Sequence, residues 1–195
     1  MKQKLRTTET SAVLLDEIDQ LRAENERLKT ALHLDDLTGL FNARCLRDSL
    51  DQAMCQMLAD GLEPALLFVD VDHFKEVNET HGHQAAGQVL GQIGHLIARQ
   101  VRVGDLAFRY GGDEFVVLVS GAKPGALLVG ERIRKSVEES EFKVQGLMGK
   151  MCVRVSVSIG ARVVQVGDSL ESVLEAADKA MFEAKRSSRN TLVAA

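Results

Sequence analysis

Apolar and polar positions change period several times along the chain, and each change predicts an element. Leu14, Ile18, Leu21, Asn25, Leu28 and Leu32 recur in steps of four and three with polar residues between them, the seam of a coiled coil within residues 1–33. Asn25 falls at an a-type position, where a buried asparagine pairs with its twin and favours a parallel, in-register, two-stranded coil. So short a seam dimerises weakly by itself; a lone amphipathic helix packed on the domain is the alternative reading. A break at His33-Leu34-Asp35-Asp36 opens one globular domain over residues 34–195. Its first helix, entered through Leu37–Asn42, runs to about Ala59, and Gly61 and Pro64 then punctuate the chain. Ala65–Val71 is a continuous apolar run, the pattern of a strand buried on both faces. A helix over Ala85–Gln100 follows, then paired strands Leu106–Tyr110 and Phe115–Val119, and a helix over Gly125–Glu139. A hairpin around Met151–Val164, an amphipathic helix over Leu170–Arg186 and a short strand Thr191–Val193 complete the pattern. Strands alternating with helices around a central hairpin predict an α/β or α+β sandwich, a sheet covered by helices on its faces.

Composition narrows the partners. The chain has 195 residues, enough for one domain with an extension, and its 45% apolar content supplies a full core. Net charge is −4 and the basic residues are dispersed, so no stripe of the kind that binds DNA or RNA is present and any anionic ligand is held locally. Cys45, Cys55 and Cys152 lack metal-ligand spacing, which fits a reduced, cytosolic protein. No apolar run reaches the roughly 18 residues of a membrane span, and no signal-peptide core follows Met1.

Two groups of carboxylates carry the candidate chemistry. Gly111 and Gly112 lie between the paired strands and are followed at once by Asp113 and Glu114, a turn that presents acids where the backbone leaves room for a phosphate or nucleotide. A Gly-Gly hairpin with solvated acids has the same local sequence. Asp70 and Asp72 end the buried strand, and alternation points them to one side. If this strand neighbours the hairpin, Asp70 and Asp113 meet, and two carboxylates about 4 Å apart repel by roughly 4 kcal/mol at an effective dielectric near 20. A hard divalent cation, magnesium or manganese, would remove that penalty and also bind substrate phosphates. Taken alone, the two aspartates equally suit a strand end that caps the next turn.

The ordered blocks Leu37-Thr38-Gly39-Leu40, Asp70 with Phe74-Lys75, Gly82-His83, Arg109–Phe115, Ser158-Ile159-Gly160, and Ala184-Lys185 with Arg189-Asn190 resemble the GGDEF family of diguanylate cyclases, which join two GTP molecules into cyclic di-GMP. The similarity runs from about Leu34 to Leu192. It implies a palm-type, ferredoxin-like α+β fold with a mostly antiparallel five-stranded central sheet flanked by helices. It further implies that Asp70, the Val71 carbonyl and Asp113 hold the metal, and that Glu114 assists activation of the ribose 3′-hydroxyl or binds a second ion. Which carboxylate acts as base stays open. Lys75 would stabilise charge on the phosphates, the turn of His73, Phe74 and Lys75 would offer N–H groups to the β- and γ-phosphates, and Lys185 and Arg189 would add charge from the last helix and its exit. Gly111 and Gly112 would leave space for the nucleotide, Asn78 matches the family asparagine that hydrogen-bonds guanine, and His83 of the Gly-His block would also belong to the substrate site.

Base recognition departs from the family pattern. Gly-His is usually followed by two variable residues, a glycine and a guanine-reading aspartate; here Ala86 and Gly87 occupy those two places. A missing charged acceptor costs about 1.5–3 kcal/mol, or ten- to a hundredfold in discrimination. Some relatives with a small polar residue there accept ATP and make cyclic GMP-AMP, so the resemblance leaves open a relaxed or mixed product. Gln88 could substitute, but one helical step turns it about 100° away. Arg102-Val103-Gly104-Asp105 is an Arg-x-x-Asp motif at the family's product-inhibition site, with Arg132 as its second arginine; a surface ion pair is the alternative. Ala43 replaces a frequent family arginine, and Ser188 a frequent glycine. The resemblance therefore implies a bacterial, cytoplasmic homodimer with GTP as substrate, cyclic di-GMP as product and inhibitor, and the coil as dimerisation segment. The competing expectation is a weakly active receptor for cyclic di-GMP.

Overall fold

The strand β2 (Ala65–Val71) is buried along its whole length because two neighbours cover its edges and helices cover both its faces. The computed structural model describes residues 17, 18, 20, 21 and 33–195, apart from 122, 147 and 148. In chain order the elements are β1 (Phe41–Asn42), α1 (Ala43–Ala59), β2, α2 (Phe74–Gln100), β3 (Leu106–Arg109), β4 (Glu114–Val119), α3 (Lys123–Glu138), β5 (Phe142–Gly146), β6 (Gly149–Val153), β7 (Val157–Val163), α4 (Leu170–Ser187) and β8 (Leu192–Ala194). The main sheet runs β1-β3-β4-β2-β7-β8, antiparallel in its four central strands and parallel at both edges. Side chains alternate across β2. Leu67, Val69 and Val71 enter the core shared with α2 and α3, whereas Leu66 and Phe68 enter the core shared with α1 and α4.

The sheet has six strands rather than the expected five. The two parallel edges, β1 on β3 and β8 on β7, are two and three residues long, too short for a period to show in sequence. The hairpin expected around Met151–Val164 does not form. Instead β6 folds back on β5 as a separate two-stranded sheet, and β7 pairs with β2. The apolar run in β7 belongs to the main core, and pairing with β2 buries more of it than a local hairpin would. The second helix also starts earlier than Ala85, at Phe74, with Gly82 left-handed in its interior (φ 81°, ψ 159°). Only glycine adopts that conformation without strain, so two helical segments meet at a kink there, and the one after Gly82 corresponds to the helix expected over Ala85–Gln100.

The chain divides into two units, Met1–Leu34 and Asp35–Ala195. In the first, residues 17, 18, 20 and 21 are helical, and Ile18 and Leu21 are exposed. The remaining seam positions of the expected coil, Leu14, Asn25, Leu28 and Leu32, lie outside the described residues. Among the described residues no helix is long and apolar enough to cross a membrane.

Candidate active site

Strand register brings the acids together. Asp70 on β2 stands directly opposite Glu114 on β4 and Ser158 on β7, so the cross-strand partner of Asp70 is Glu114, with Asp113 one residue away at the end of the turn. Directly opposed residues share a face of the sheet. The turn itself is closed by Tyr110 and Gly111, whose N–H groups donate to the Glu114 carbonyl at 2.9 and 3.3 Å. The Asp113 carbonyl accepts from the Val71 N–H at 3.2 Å, which fixes the acidic tip against the end of β2. A Cβ at Gly111 would strike the Glu114 carboxylate at 2.7 Å, whereas one at Gly112 would meet nothing within 4 Å, so the tip is open.

Lys185 arrives from α4, and its ammonium lies 2.5 Å from Asp70 Oδ1. The capping box of Ser169 and Ser172 fixes where α4 begins. Gly160 on β7 lets α4 lie directly on the sheet: a Cβ there would come within 2.0 Å of the Ala177 carbonyl oxygen and 2.3 Å of the Met181 nitrogen. Any larger residue would push Lys185 away from Asp70.

The electrostatics are unresolved within the chain. Burial above all, reinforced by the charges of Asp113 and Glu114 and opposed by Lys185, pushes the Asp70 carboxyl up to about 6. Burial, Asp113 and Asp178 likewise raise Glu114. Asp70 Oδ1 is buried and makes no directional hydrogen bond with any described group; Lys185 answers its charge but not its lone-pair geometry. Among the described residues no three acids, histidines or cysteines already converge as metal ligands. A buried carboxylate crowded by two more acids and met by a single ammonium nevertheless fits a hard divalent cation, which supplies the positive charge the cluster still lacks.

Beneath Glu114 lies a cleft of about 390 Å3 lined by Phe68, Tyr110, Asp178, Glu175, Glu171 and Arg47 among others. Its carboxylates make it hostile to a polyanion. The other residues expected to meet phosphates stand close to Asp70 or Lys185 in sequence, two of them beside glutamates. Phe74 is buried, His73 is left-handed (φ 56°) with its ring 2.7 Å from Glu76, and Lys75 is exposed, 3.7 Å from Glu79. Arg189 is exposed just beyond α4.

At the expected base end, Asn78 Oδ1 lies 3.0 Å from the His83 ring. Gly87 is half-buried, and a Cβ there would make only an ordinary 3.7 Å contact with Leu37. Space does not dictate glycine. Gln88 cannot stand in for the missing acceptor, because it spans the edge of β5, donating to the Gln145 carbonyl at 3.2 Å and accepting from the Gln145 N–H at 2.9 Å.

Arg102 and Arg132 line one cleft of about 400 Å3 at the far end of β4. Arg102 donates to the Ser120 carbonyl and Arg132 to the Gln100 carbonyl. Asp105 points inward, its side chain wholly buried, accepting from Ser120 N–H and hydroxyl and from Arg102 N–H at 2.9, 3.0 and 3.1 Å.

Sequence reasoning missed several supports. Asp72 is a buried anchor that accepts from the Ser156 and Ser158 hydroxyls at 2.6 and 2.7 Å and from the Asn190 N–H at 3.0 Å. Arg109 bridges Asp35 at 3.0 Å and the Gly112 carbonyl at 2.9 Å, tying the Leu37–Leu40 turn to the acidic hairpin. Although burial opposes it, hydrogen bonds from Thr38 and the charge of Arg109 hold Asp35 below the usual carboxylate range. The shared alternation of Asp70 and Asp72 was the visible signal; their partners are distant in sequence.

The family model described as "Diguanylate cyclase, GGDEF domain" matches residues 32–191. The response regulator PleD of Caulobacter vibrioides is 38% identical over 161 residues, covering 82% of this chain and 35% of PleD. Diguanylate cyclase DgcM of Escherichia coli K12 is 34% identical over 184 residues, 94% of this chain and 43% of DgcM. The chain thus spans less than half the length of these curated relatives. Among solved structures, the coiled coil and GGDEF domain of DgcB from Caulobacter crescentus, in complex with c-di-GMP, superposes with a TM-score of 0.86 at 31% identity, covering 100% of both chains. Diguanylate cyclase SiaD from Pseudomonas aeruginosa, in complex with its activator SiaC, gives 0.83 at 34% identity over 99% of this chain and 74% of SiaD. A fold, an acidic hairpin and a sequence match that coincide over residues 32–191 make this chain a member of the GGDEF-domain diguanylate cyclase family.

Proposed function

We propose that the protein condenses two GTP molecules into cyclic di-GMP and two pyrophosphates at a site shared by two copies of the chain. The observation that carries this reading is the cross-strand acid pair Asp70–Glu114, with Asp113 beside it and only the Lys185 ammonium to offset the three carboxylates. Asp70, the Val71 carbonyl and Asp113 would hold a magnesium or manganese ion, with Glu114 as a further ligand or proton acceptor. When bound, the ion supplies neutralising charge and acidifies the ribose 3′-hydroxyl. The 3′-oxygen then forms a bond to the α-phosphorus, the bond from that phosphorus to the bridging oxygen breaks, and pyrophosphate leaves while the hydroxyl proton passes to a carboxylate. Lys185, Arg189, Lys75 and the N–H groups of residues 73–75 bind the departing phosphates.

Each subunit contributes one half-site, so ring closure needs two facing copies. The coil over residues 1–33 would raise the effective concentration of the second half, and activity per protein would fall on dilution below the dimer constant. Cyclic di-GMP would bind at Arg102 and Arg132, with Asp105 either turning outward or acting only as the support of that loop.

A second reading concerns the base. Gly87 leaves the guanine edge without its acceptor, and Gln88 is committed to β5, so ATP would compete and cyclic GMP-AMP would form from mixtures. Incubating the purified protein with magnesium and GTP, ATP or both, and identifying products by mass, tests both readings. Cyclic di-GMP from GTP alone supports the first and a mixed dinucleotide the second; no product from any mixture would leave only the receptor.

A further inference from the structure

The chain leaves α4 through two consecutive non-glycine residues in the left-handed region, Arg189 (φ 52°) and Asn190 (φ 45°). That conformation is unfavourable for residues with a Cβ and persists only where the surroundings impose it. Asn190 is held from three directions. Its N–H donates to Asp72 at 3.0 Å, its side-chain oxygen accepts from Arg134 at 2.8 Å, and its side-chain amide donates to Glu138 at 2.7 Å. Arg134 is itself locked: its side chain is 13% exposed and ion-paired with Glu131 at 3.1 Å and Glu138 at 2.8 Å. Asp72 is buried at the end of β2, two residues beyond Asp70, and pinned by Ser156 and Ser158.

Arg189 contrasts with this. Its N–H closes the helix on the Ala184 carbonyl at 3.1 Å, but its guanidinium is exposed and has no hydrogen bond or ion pair with any described residue. A rigid backbone thus carries an unspent cationic fork, the arrangement expected of a preorganised anion ligand rather than a structural arginine.

We propose that Asn190 is a positioning residue: gripped by Asp72, Arg134 and Glu138, it fixes the direction of Arg189 relative to Asp70, so that one network registers the phosphate arm against the acid pair. This rests on the reading of Arg189 as a phosphate ligand given above. Asn190 touches no substrate itself. It acts only through Arg189, so its effect depends on Arg189 being present and on the substrate carrying β- and γ-phosphates.

The test is a double-mutant cycle on the full chain. Asn190→Gly keeps the left-handed backbone accessible while deleting both side-chain grips; Arg134→Gln removes one grip with Asn190 intact. Binding of a non-hydrolysable GTP analogue and of GMP is measured with magnesium by calorimetry, alone and in an Arg189→Ala background. Each variant is expected to weaken the triphosphate about tenfold, to leave GMP within about twofold, and to lose its effect once Arg189 is gone. An equal loss in both backgrounds, an equal loss for GMP, or no loss would overturn the positioning role. If Arg189→Ala alone leaves triphosphate binding unchanged, the phosphate reading of Arg189 fails instead, a result distinguishable from an additive cycle.

Discussion

The acid pair and the expected base end around Asn78, His83 and Gly87 are left in opposite states. At Asp70 and Glu114 the fold crowds carboxylates that the single Lys185 ammonium answers only in part, lifting both carboxyls. At Asn78, His83 and Gln88 the polar groups are satisfied within the protein, and Gly87 adds none. Crowded like charge is costly and is retained where a ligand completes it. Satisfied polar groups impose little selectivity, because no wrong base leaves a donor stranded. The contrast teaches that the acid cluster is built to take a further charge from outside the chain, whereas the Asn78–His83 end is closed on itself.

The largest expected effect breaks the acid pair. Glu114→Gln should lower product formation by about 10²–10⁴ while the far-UV circular dichroism stays unchanged, since Glu114 lies half-buried at the strand's first position. An active variant would remove the pair from the chemistry. Next, Gly87→Asp should sharpen the base end. The site admits a Cβ, so the new carboxylate should raise the GTP-over-ATP ratio of kcat/KM about ten- to a hundredfold. An unchanged ratio would mean that the base lies elsewhere.

Lys185→Met should act with two signs. Removing the ammonium from Asp70 should tighten magnesium binding to the nucleotide-free protein about tenfold and weaken triphosphate binding by a similar factor, both read by calorimetry. The same direction for both ligands would contradict Lys185 as a stand-in cation. The smallest effect is on stability. Asp70 takes up its proton near 6 in the folded chain and near 3.8 when unfolded, so its contribution to stability rises as pH falls through 6 and is lost again above it. Between pH 7.5 and 5 this should add about 1 kcal/mol to metal-free wild type, allowing for solvent screening. Denaturant titration of Asp70→Asn should lack that gain, and a divalent cation should oppose it in wild type.

Much of the scaffold was legible because its signals are local. The apolar run Ala65–Val71 has the same limits in the structure, the strands flanking the Gly-Gly turn pair as expected, and α4 begins at Leu170 behind its serine cap. The two-residue edge β1 and the separate β5–β6 sheet were not legible, since the first has no period and the second depends on which distant partner β7 takes. The site divides the same way. Asp70, Asp113, Glu114 and Lys185 stand out as residues, but Asp72 as an anchor, Arg134 as a grip and Gln88 as a clamp on β5 are defined by neighbours far along the chain.

Sequence by itself determined the inventory: acids at the end of a buried strand and in a glycine turn, basic residues closing the last helix, and a glycine at position 87. Strand alternation and turn chemistry act over a few residues, so they are written locally. Tertiary structure alone decided that Glu114 is the residue opposite Asp70, that Lys185 reaches Asp70 because Gly160 lets α4 close on the sheet, and that Arg189 leaves the helix on a backbone clamped by Asp72 and Arg134. Those relations are set by register and by helix–sheet packing, which depend on the whole core being assembled.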